Sequence, residues 1–219
     1  MALNINGTTG ISGVDGSVSA PAVTGTDSNT GITFPAADTI KFSTGGVERM
    51  SITNSGVSGV GGKIHQVKSV TKSDTFSLSG TTSFTDVTGL SIAITPTSSS
   101  NKILVLYDLS WGTSDGHVSC RMMRDSTAIK VGDAAGSARP RVTGQMHRNN
   151  NDEYDVFNTA GTFLDSPNTT SSVTYKWQVG TPYSSSYNIQ VNRQGQEDNG
   201  DVSYNGRPAS SITVMEVAA

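Results

Sequence analysis

The residue types that most often carry catalysis are few in this chain and stand far apart. His65, His117 and His147 are dispersed along the sequence, and Cys120 is the single cysteine. The sequence contains no HExxH motif and no phosphate-binding loop ending in GK[ST]. Each of these spacings is what places the reacting groups of its own chemistry. We therefore predict that the protein is not an enzyme and has no catalytic, cofactor-binding or metal-binding residues.

Carboxylate and amide oxygens are concentrated in the run Asn-Asn-Asn-Asp-Glu-Tyr-Asp at residues 149–155. Roughly six to eight oxygens can hold a Ca²⁺ ion, but this run lacks the spacing of a calcium loop. Asn and Asp are also ordinary turn formers, so a hydrated loop is favoured and Ca²⁺ binding stays an alternative. The acidic pairs Asp152/Glu153 and Glu197/Asp198 lie in polar loops and do not predict a glycosidase.

The single cysteine has the pattern of a core residue. Cys120 alternates with Val118 and Met122, as expected for one buried face of a strand. A buried thiol behaves as a small apolar side chain, so we predict a packing role for Cys120 and not a nucleophile.

Two tyrosines in a serine-rich stretch are the best candidates for contact with a sugar. Tyr183 and Tyr187 occur in Thr-Pro-Tyr-Ser-Ser-Ser-Tyr, where aromatic faces stand beside hydroxyl groups. Tyrosines that close a loop onto the domain would have the same sequence, so both interpretations stay open. The basic residues Arg139, Arg141, Arg148 and Arg193 could meet anionic glycans, but ion pairs with aspartates are the favoured explanation.

The elements that position these residues are predicted to be β-strands. Thirty-one serines, 27 threonines and 24 glycines disfavour helices, because hydroxyl side chains compete with the helical backbone for hydrogen bonds. Apolar and polar residues alternate over 90–94 and 173–179, which is the period of half-buried strands. With further strand candidates between turn-rich segments, the pattern predicts an all-β fold with an antiparallel jelly-roll-like β-sandwich over residues 63–219.

Residues 1–62 have a different composition. They contain 12 of the 24 glycines and, among aromatic residues, only Phe34 and Phe42. So few large apolar side chains cannot offset the entropy of ordering a separate core. Single apolar residues nevertheless recur between Gly, Thr, Ser and Asn, which favours an extended fibrous segment in which identical chains run side by side. A disordered tail is the alternative.

Two strands are apolar on both faces. In 102–111 the odd positions from Ile103 to Trp111 form one apolar face, and Leu104 and Leu106 make the other face apolar too. The last strand repeats this feature with Met215 and Val217. Since the outer face of a sandwich strand normally meets water, an apolar outer face predicts a covering subunit. Leu104, Leu106, Met215 and Val217 are therefore the candidate trimer interface.

Charge and hydropathy exclude two classes of partner. The formal net charge is −3, which argues against capture of nucleic acid through its phosphates. The longest apolar stretch, 103–107, is far shorter than a membrane span, so we expect no membrane insertion. The first residues lack the basic and apolar regions of a secretory signal, and we expect assembly in a cytoplasm.

One long segment carries a resemblance. Residues 24–57 read TGTDSNTGITFPAADTIKFSTGGVERMSITNSGV, and this string resembles a segment common in tail-fibre proteins of tailed bacteriophages, especially marine and cyanobacterial ones. The remainder is similar to C-terminal domains attached to such fibres. The motifs that carry this second likeness are RDSTAI at 124–129, VGDAAGS at 131–137, FLDSP at 163–167 and SSVTYK at 171–176.

The resemblance implies a homotrimeric virion appendage that is assembled in the host cytoplasm. Residues 1–62 would attach to other virion proteins, and the domain at 63–219 would contact a host surface glycan or outer-membrane component. The candidate contact residues lie in loops predicted at the distal end of this domain: Arg148, Asn150, Asp152, Tyr154, Tyr183 and Tyr187.

Alternatives to a receptor-binding fibre stay open. The chain departs from long fibres because it has no repeated shaft, and from chaperone-terminated fibres because it ends in a strand. A head fibre, a decoration protein or a baseplate or tail adaptor without a receptor role is the second hypothesis. A non-viral trimeric lectin-like jelly roll is the third.

Overall fold

The computed structural model describes residues 4–6, 10–12, 15–59, 64–148, 154–196, 201–203 and 205–219. Within these ranges all regular structure is β-strand, and no helix occurs. No helix long and apolar enough to cross a membrane is therefore found among the described residues. The chain divides into two compact units, Met1–Gly62 and Lys63–Ala219.

The first unit consists of short antiparallel strands. They are β1 (Asn4–Asn6), β2 (Gly10–Ser12), β3 (Gly16–Ser17), β4 (Ala20–Pro21), β5 (Val23–Thr24), β6 (Gly31–Ala36), β7 (Thr39–Thr44), β8 (Val47–Thr53) and β9 (Gly56–Ser58). Strands β1 and β2 pair, β3 and β4 pair, and β5 to β9 form a five-stranded meander in chain order.

This meander is a folded sheet and not a single extended thread, while the side-by-side arrangement of identical chains stays a prediction. The chain turns back because suitable residues stand between the strands: Asp38 has a φ of 54°, and Gly45 and Gly46 have φ values of 60° and 73°. Two consecutive positive φ values produce the tight hairpin turn that matches the twist of paired strands. Asp38, Gly45 and Gly46 therefore form the turns of a small sheet.

The second unit contains eleven strands. They are β10 (Ile64–Lys72), β11 (Phe76–Leu78), β12 (Thr85–Ile94), β13 (Lys102–Gly112), β14 (Gly116–Arg124), β15 (Thr127–Ile129), β16 (Gly144–Arg148), β17 (Phe157–Asp165), β18 (Val173–Gly180), β19 (Ile189–Val191) and β20 (Ser210–Val217).

Eight of these strands have the topology of a jelly roll. One sheet runs β10-β20-β13-β17, and the other runs β12-β18-β14-β16, with every pair antiparallel. If these eight strands are counted along the chain, the first sheet contains the first, eighth, third and sixth strands in that order. The second sheet contains the second, seventh, fourth and fifth. This is the double Greek-key arrangement of a jelly roll. The all-β, antiparallel jelly-roll prediction for this part of the chain is confirmed.

The core lies between the two sheets. The inward residues of β13 and β18 are almost completely buried, including Trp111 and Trp177. The ring of Tyr107 meets the ring of Trp177 edge to face, with centroids 5.3 Å apart and planes at 85°. Such pairs stabilise a core by about 0.5–1.5 kcal/mol beyond area burial.

The sandwich has two ends. We call the end where β10 begins the proximal end and the opposite end, where β13 finishes, the distal end. At the proximal end, β10 begins at Ile64 beside Val217, and β13 begins at Lys102. The eleven residues of β13 then lead to Gly112 at the distal end, a distance of about 33 Å at 3.3 Å per residue step. The connection 113–115 and the start of β14 follow there.

A buried carboxylate fixes the proximal end. Glu216 on β20 accepts hydrogen bonds from Asn101 Nδ2 at 2.7 Å, from both the backbone N and Oγ1 of Thr97 at 2.7 Å, and from Gln66 Nε2 at 2.6 Å. Burial alone raises the pKa of this carboxyl, but the four hydrogen bonds outweigh it and lower the pKa to about 2. Glu216 thereby joins β10, β20 and the β12–β13 connection.

Candidate functional site

Three connections that are separate in sequence meet at the distal end. A cavity of about 200 Å³ lies among them. It is lined by His117 at the start of β14, Ala138 and Pro140 from the β15–β16 connection, Gln145, and Pro182 and Tyr183 after β18. Asn188 Oδ1 holds two of these connections together, because it accepts hydrogen bonds from Ser114 N and Ser114 Oγ, each at 3.0 Å. We call this space the end cavity.

Four rings form a cluster beside the end cavity. His117 and His147 are directly opposite each other on β14 and β16, and their rings stack with centroids 4.0 Å apart. Tyr183 approaches His117 edge-on at 5.5 Å and lies nearly parallel to Tyr187 at 6.1 Å. We call His117, His147, Tyr183 and Tyr187 the end cluster.

The two tyrosines differ in accessibility. Tyr183 is 73% exposed, which leaves its ring available to a ligand. Tyr187 is half-buried and packs against the core. A Cβ atom added at Gly116 would lie 2.2–2.3 Å from atoms of the Tyr187 ring, so the ring rests directly on this glycine. Tyr187 thus closes the loop onto the domain, and Tyr183 presents an exposed aromatic face whose contact with a sugar stays a prediction.

Arg148 is not a surface residue, contrary to its place among the candidate contacts. It is 5% exposed, its Nη1 donates to the carbonyl of Thr113 at 3.0 Å, and its Nη2 lies 3.1 Å from Asp155 Oδ2. Phe157 covers the guanidinium at 5.9 Å from the ring centroid. A buried guanidinium with these partners fixes the distal loops and is not available to a receptor.

The other candidate contacts have different positions. Tyr154 is 53% exposed just before β17. Asn150 and Asp152 lie outside the described residues, and so does most of the run considered for Ca²⁺. Among the residues that the structure describes, no group of three or more His, Cys, Asp or Glu side chains has a geometry suited to a metal.

The candidate trimer interface residues lie together on one sheet face. A straight row of apolar residues crosses β10, β20, β13 and β17. Each member is the direct register partner of the next, and the members are Val67, Met215, Leu104 and Leu164. Val67 and Leu164 are each 54% exposed, and Leu104 and Met215 are half-buried.

Three further side chains extend this row into a patch. Leu106 follows Leu104 on the same face of β13, and Val217 faces Ile64 across β20 and β10. All of them point away from the core, whose side of β13 carries Ile103 and Val105. We call these seven residues the apolar face: Ile64, Val67, Leu104, Leu106, Leu164, Met215 and Val217.

Cys120 lies inside the domain, as its alternation predicted. It is fully buried in the core cluster, and this burial raises the pKa of its thiol to about 12. The thiolate, which is the reactive form, is therefore negligible at neutral pH.

Comparison with known proteins gives matches to structures alone. No family model and no curated protein match the chain. The structure of infectious bursal disease virus Gx strain is 14% identical with a TM-score of 0.34, over 70% of this chain and 37% of the other. The VP2 subviral particle of the same virus is 13% identical with a TM-score of 0.30, over 70% and 38%.

A third structure, of T=1 particles derived from this virus, is 13% identical with a TM-score of 0.35. It is matched over 94% of this chain and 54% of the other, so the chain spans about half or less of the length of these structures. Likeness at this level establishes neither a common fold nor a common function. The jelly-roll assignment above depends on strand order and pairing within the chain.

Histidine pairing is the part of the site that sequence reasoning missed. His117 and His147 are far apart in the chain, and their proximity arises from the β14–β16 register. The sequence signal for this position is the alternation of polar Gln145, apolar Met146 and polar His147. Met146 is buried, and the residues on either side of it are exposed, so His147 lies on the outer face.

Proposed function

We propose that this protein is a structural component of a virus particle, namely a trimeric tail fibre of a tailed bacteriophage whose jelly-roll domain binds the host-cell surface. The observation that carries the proposal is the end cluster, where the exposed Tyr183 ring borders a cavity at the distal end of the sandwich. The resemblance of residues 24–57 to tail-fibre segments supports the viral assignment.

The end cavity has the chemistry of a neutral sugar site. Its apolar walls are Pro140, Pro182 and the ring of Tyr183, while His117 and Gln145 supply groups that can exchange hydrogen bonds with hydroxyls. None of the described residues that line it is an Asp, Glu, Lys or Arg. At about 200 Å³ it is smaller than the roughly 300–1,000 Å³ sites of drug-sized ligands, and it suits a single sugar ring.

The apolar face supports self-association. Seven apolar side chains on the outer face of one sheet are unusual for a surface that stays in water. Covering half-exposed Val, Leu and Met side chains would contribute roughly 1 kcal/mol each. A second copy of the chain is the simplest partner, and three copies would present three end cavities in parallel. Weak single-sugar binding then becomes firm attachment through multivalency.

A ligand-binding comparison of two Tyr183 variants tests this function. The full-length protein, its Tyr183→Ala variant and its Tyr183→Phe variant are applied to an array of neutral bacterial surface glycans and to host cells. Loss of the ring should weaken binding about tenfold or less per site, with a larger loss for multivalent attachment. The phenylalanine variant should retain most binding, because it keeps the aromatic face.

The controls separate a binding defect from a folding defect. Melting temperatures should stay within a few degrees of the unchanged protein for both variants, because Tyr183 is exposed. Equal attachment of all three proteins would contradict a receptor role for the end cluster. In that case a head fibre, decoration or adaptor role would be favoured, since these need only the apolar face.

A further inference from the structure

A second cavity lies at an open edge of the sandwich, away from the end cluster. It measures about 550 Å³ and is lined by residues of β15, of the β15–β16 connection and of β17. Strands β15 and β17 each pair with one neighbour, so both are edge strands and the space between the two sheets is accessible here. We call this space the edge cavity. Its lining includes Lys130, Gly132, Arg141, Thr143 and Phe163.

The edge cavity carries two positive charges without a counter-charge. Lys130 and Arg141 are exposed, and neither makes an ion pair with a described carboxylate. Among the described residues that line the cavity, none is acidic. Five other basic residues form ion pairs with an Asp or Glu: Lys41, Lys72, Arg124, Arg148 and Lys176.

The guanidinium of Arg141 is held in place by the backbone beside it. Arg141 Nε donates to the carbonyl of Gly132 at 2.7 Å, which fixes the guanidinium and leaves its terminal nitrogens for other acceptors. Lys130 has a φ of 51°, in the left-handed region that is uncommon for residues with a side chain. Thr143 Oγ1 accepts a hydrogen bond from Met122 N at 2.9 Å and anchors the far side of the connection to β14.

An aromatic surface completes the edge cavity. Phe163 on β17 is half-buried, packs its inner side against the core and contributes the rest of its ring to the cavity lining. An aromatic ring beside a guanidinium and an ammonium group suits a ligand that is both anionic and ring-shaped. Arginine in particular binds the paired oxygens of carboxylate, sulfate or phosphate through two parallel N–H groups.

We propose that the edge cavity binds an anionic sugar unit, with the acidic group between Lys130 and Arg141 and the sugar ring against Phe163. The acidic group is a carboxylate, a sulfate or a phosphate, all of which share this chemistry. This site is distinct from the neutral end cavity and does not depend on a trimer or on a viral origin.

Titration with matched small sugars tests the proposal on the full-length protein. Glucuronate, glucose 6-sulfate and glucose 6-phosphate are titrated separately against glucose, and binding is followed by isothermal calorimetry and by ligand-detected NMR. At least one anionic sugar should bind about tenfold or more tightly than glucose, because charge-assisted hydrogen bonds account for the difference. The tightest of the three identifies the acidic group, and binding should weaken as salt is raised.

Variants locate the binding within the edge cavity. Lys130→Gln and Arg141→Gln should each weaken binding about tenfold or more. Arg139→Gln is the matched control, because Arg139 is an exposed arginine of the same connection that does not line the cavity. Lys130→Gln leaves the Arg141–Gly132 hydrogen bond intact, so its result is independent of any loosening of the connection.

Three results would overturn the proposal. The first is equal binding of glucose and all three anionic sugars, or no binding of any of them. The second is an equal loss in the Arg139 control, which would indicate general charge attraction. The third is unchanged binding in both cavity variants. The Tyr183→Ala variant should bind the anionic sugar normally, so failure of this site and failure of the end cavity are distinguishable.

Discussion

Replacement of the buried carboxylate at the proximal end should reveal how much one charge contributes to the jelly roll. In Glu216→Gln the carboxylate that accepts four hydrogen bonds becomes an amide with two N–H donors of its own. The lowering of the pKa from 4.5 to about 2 corresponds to roughly 3 kcal/mol of stability at pH 7. We therefore expect the variant to lose about that amount of unfolding free energy at neutral pH.

The sign of the pH dependence follows from the lowered pKa. Because the folded-state pKa lies below the unfolded value, the stabilisation is complete above pH 4.5 and disappears as the pH falls toward 2. By the same linkage relation, the difference between the two proteins should shrink to about 1 kcal/mol at pH 3.

Urea unfolding at pH 7 and pH 3, at one protein concentration, measures both values. Trp111 and Trp177 are buried in the core, so their fluorescence reports unfolding of this unit. Asp86→Asn is the control, because Asp86 is half-exposed and pairs with Lys176 at the surface at 2.6 Å, where an ion pair contributes about 1 kcal/mol or less. A loss for Glu216→Gln that is equal at both pH values would refute the electrostatic explanation.

Three further outcomes are expected. Leu104→Gln combined with Leu106→Gln should convert the proposed trimer into monomers, as measured by light scattering; a mass that stays at three chains would contradict the apolar-face interface. Gly116→Ala should lower stability by about 2 kcal/mol or more in chemical unfolding, since the new Cβ overlaps a tyrosine ring, whereas Gly136→Ala, at a similar φ with open space around it, should lose less. Cys120 should react with iodoacetamide in urea and stay unmodified in the native protein at pH 8, as followed by mass spectrometry.

The sequence was sufficient to predict the strands whose alternation is strict. Tyr175 and Trp177 lie two residues apart and are both fully buried, as period-two alternation requires. The doubly apolar pattern around Leu104 and Leu106 likewise predicted an outer face that water does not favour. Local pattern was enough in these cases because burial of alternate side chains is a property of one strand.

Contacts between distant strands could not be predicted in the same way. Arg148 was expected at the surface, because a charged residue before a polar run normally remains solvated. It is buried because it shares the inward face of β16 with Met146 and meets the carbonyl of Thr113 on another connection. The opposition of His117 and His147 depends on register in the same manner. The edge cavity also requires β15 and β17 to be edge strands, which only the assembled sheets decide.

The position of β20 has a consequence for how the protein is made. This strand pairs with β10 on one side and with β13 on the other, and Glu216 bonds to Gln66 across 150 residues of sequence. During synthesis β10 and β13 therefore leave the ribosome with a gap between them that stays unfilled until residues 210–217 emerge. Pairing over such separations is slow, and the waiting strands expose their edges to other chains. The jelly roll must close after translation of β20, and the proposed association of subunits through the apolar face requires that closure, since β20 supplies Met215 and Val217.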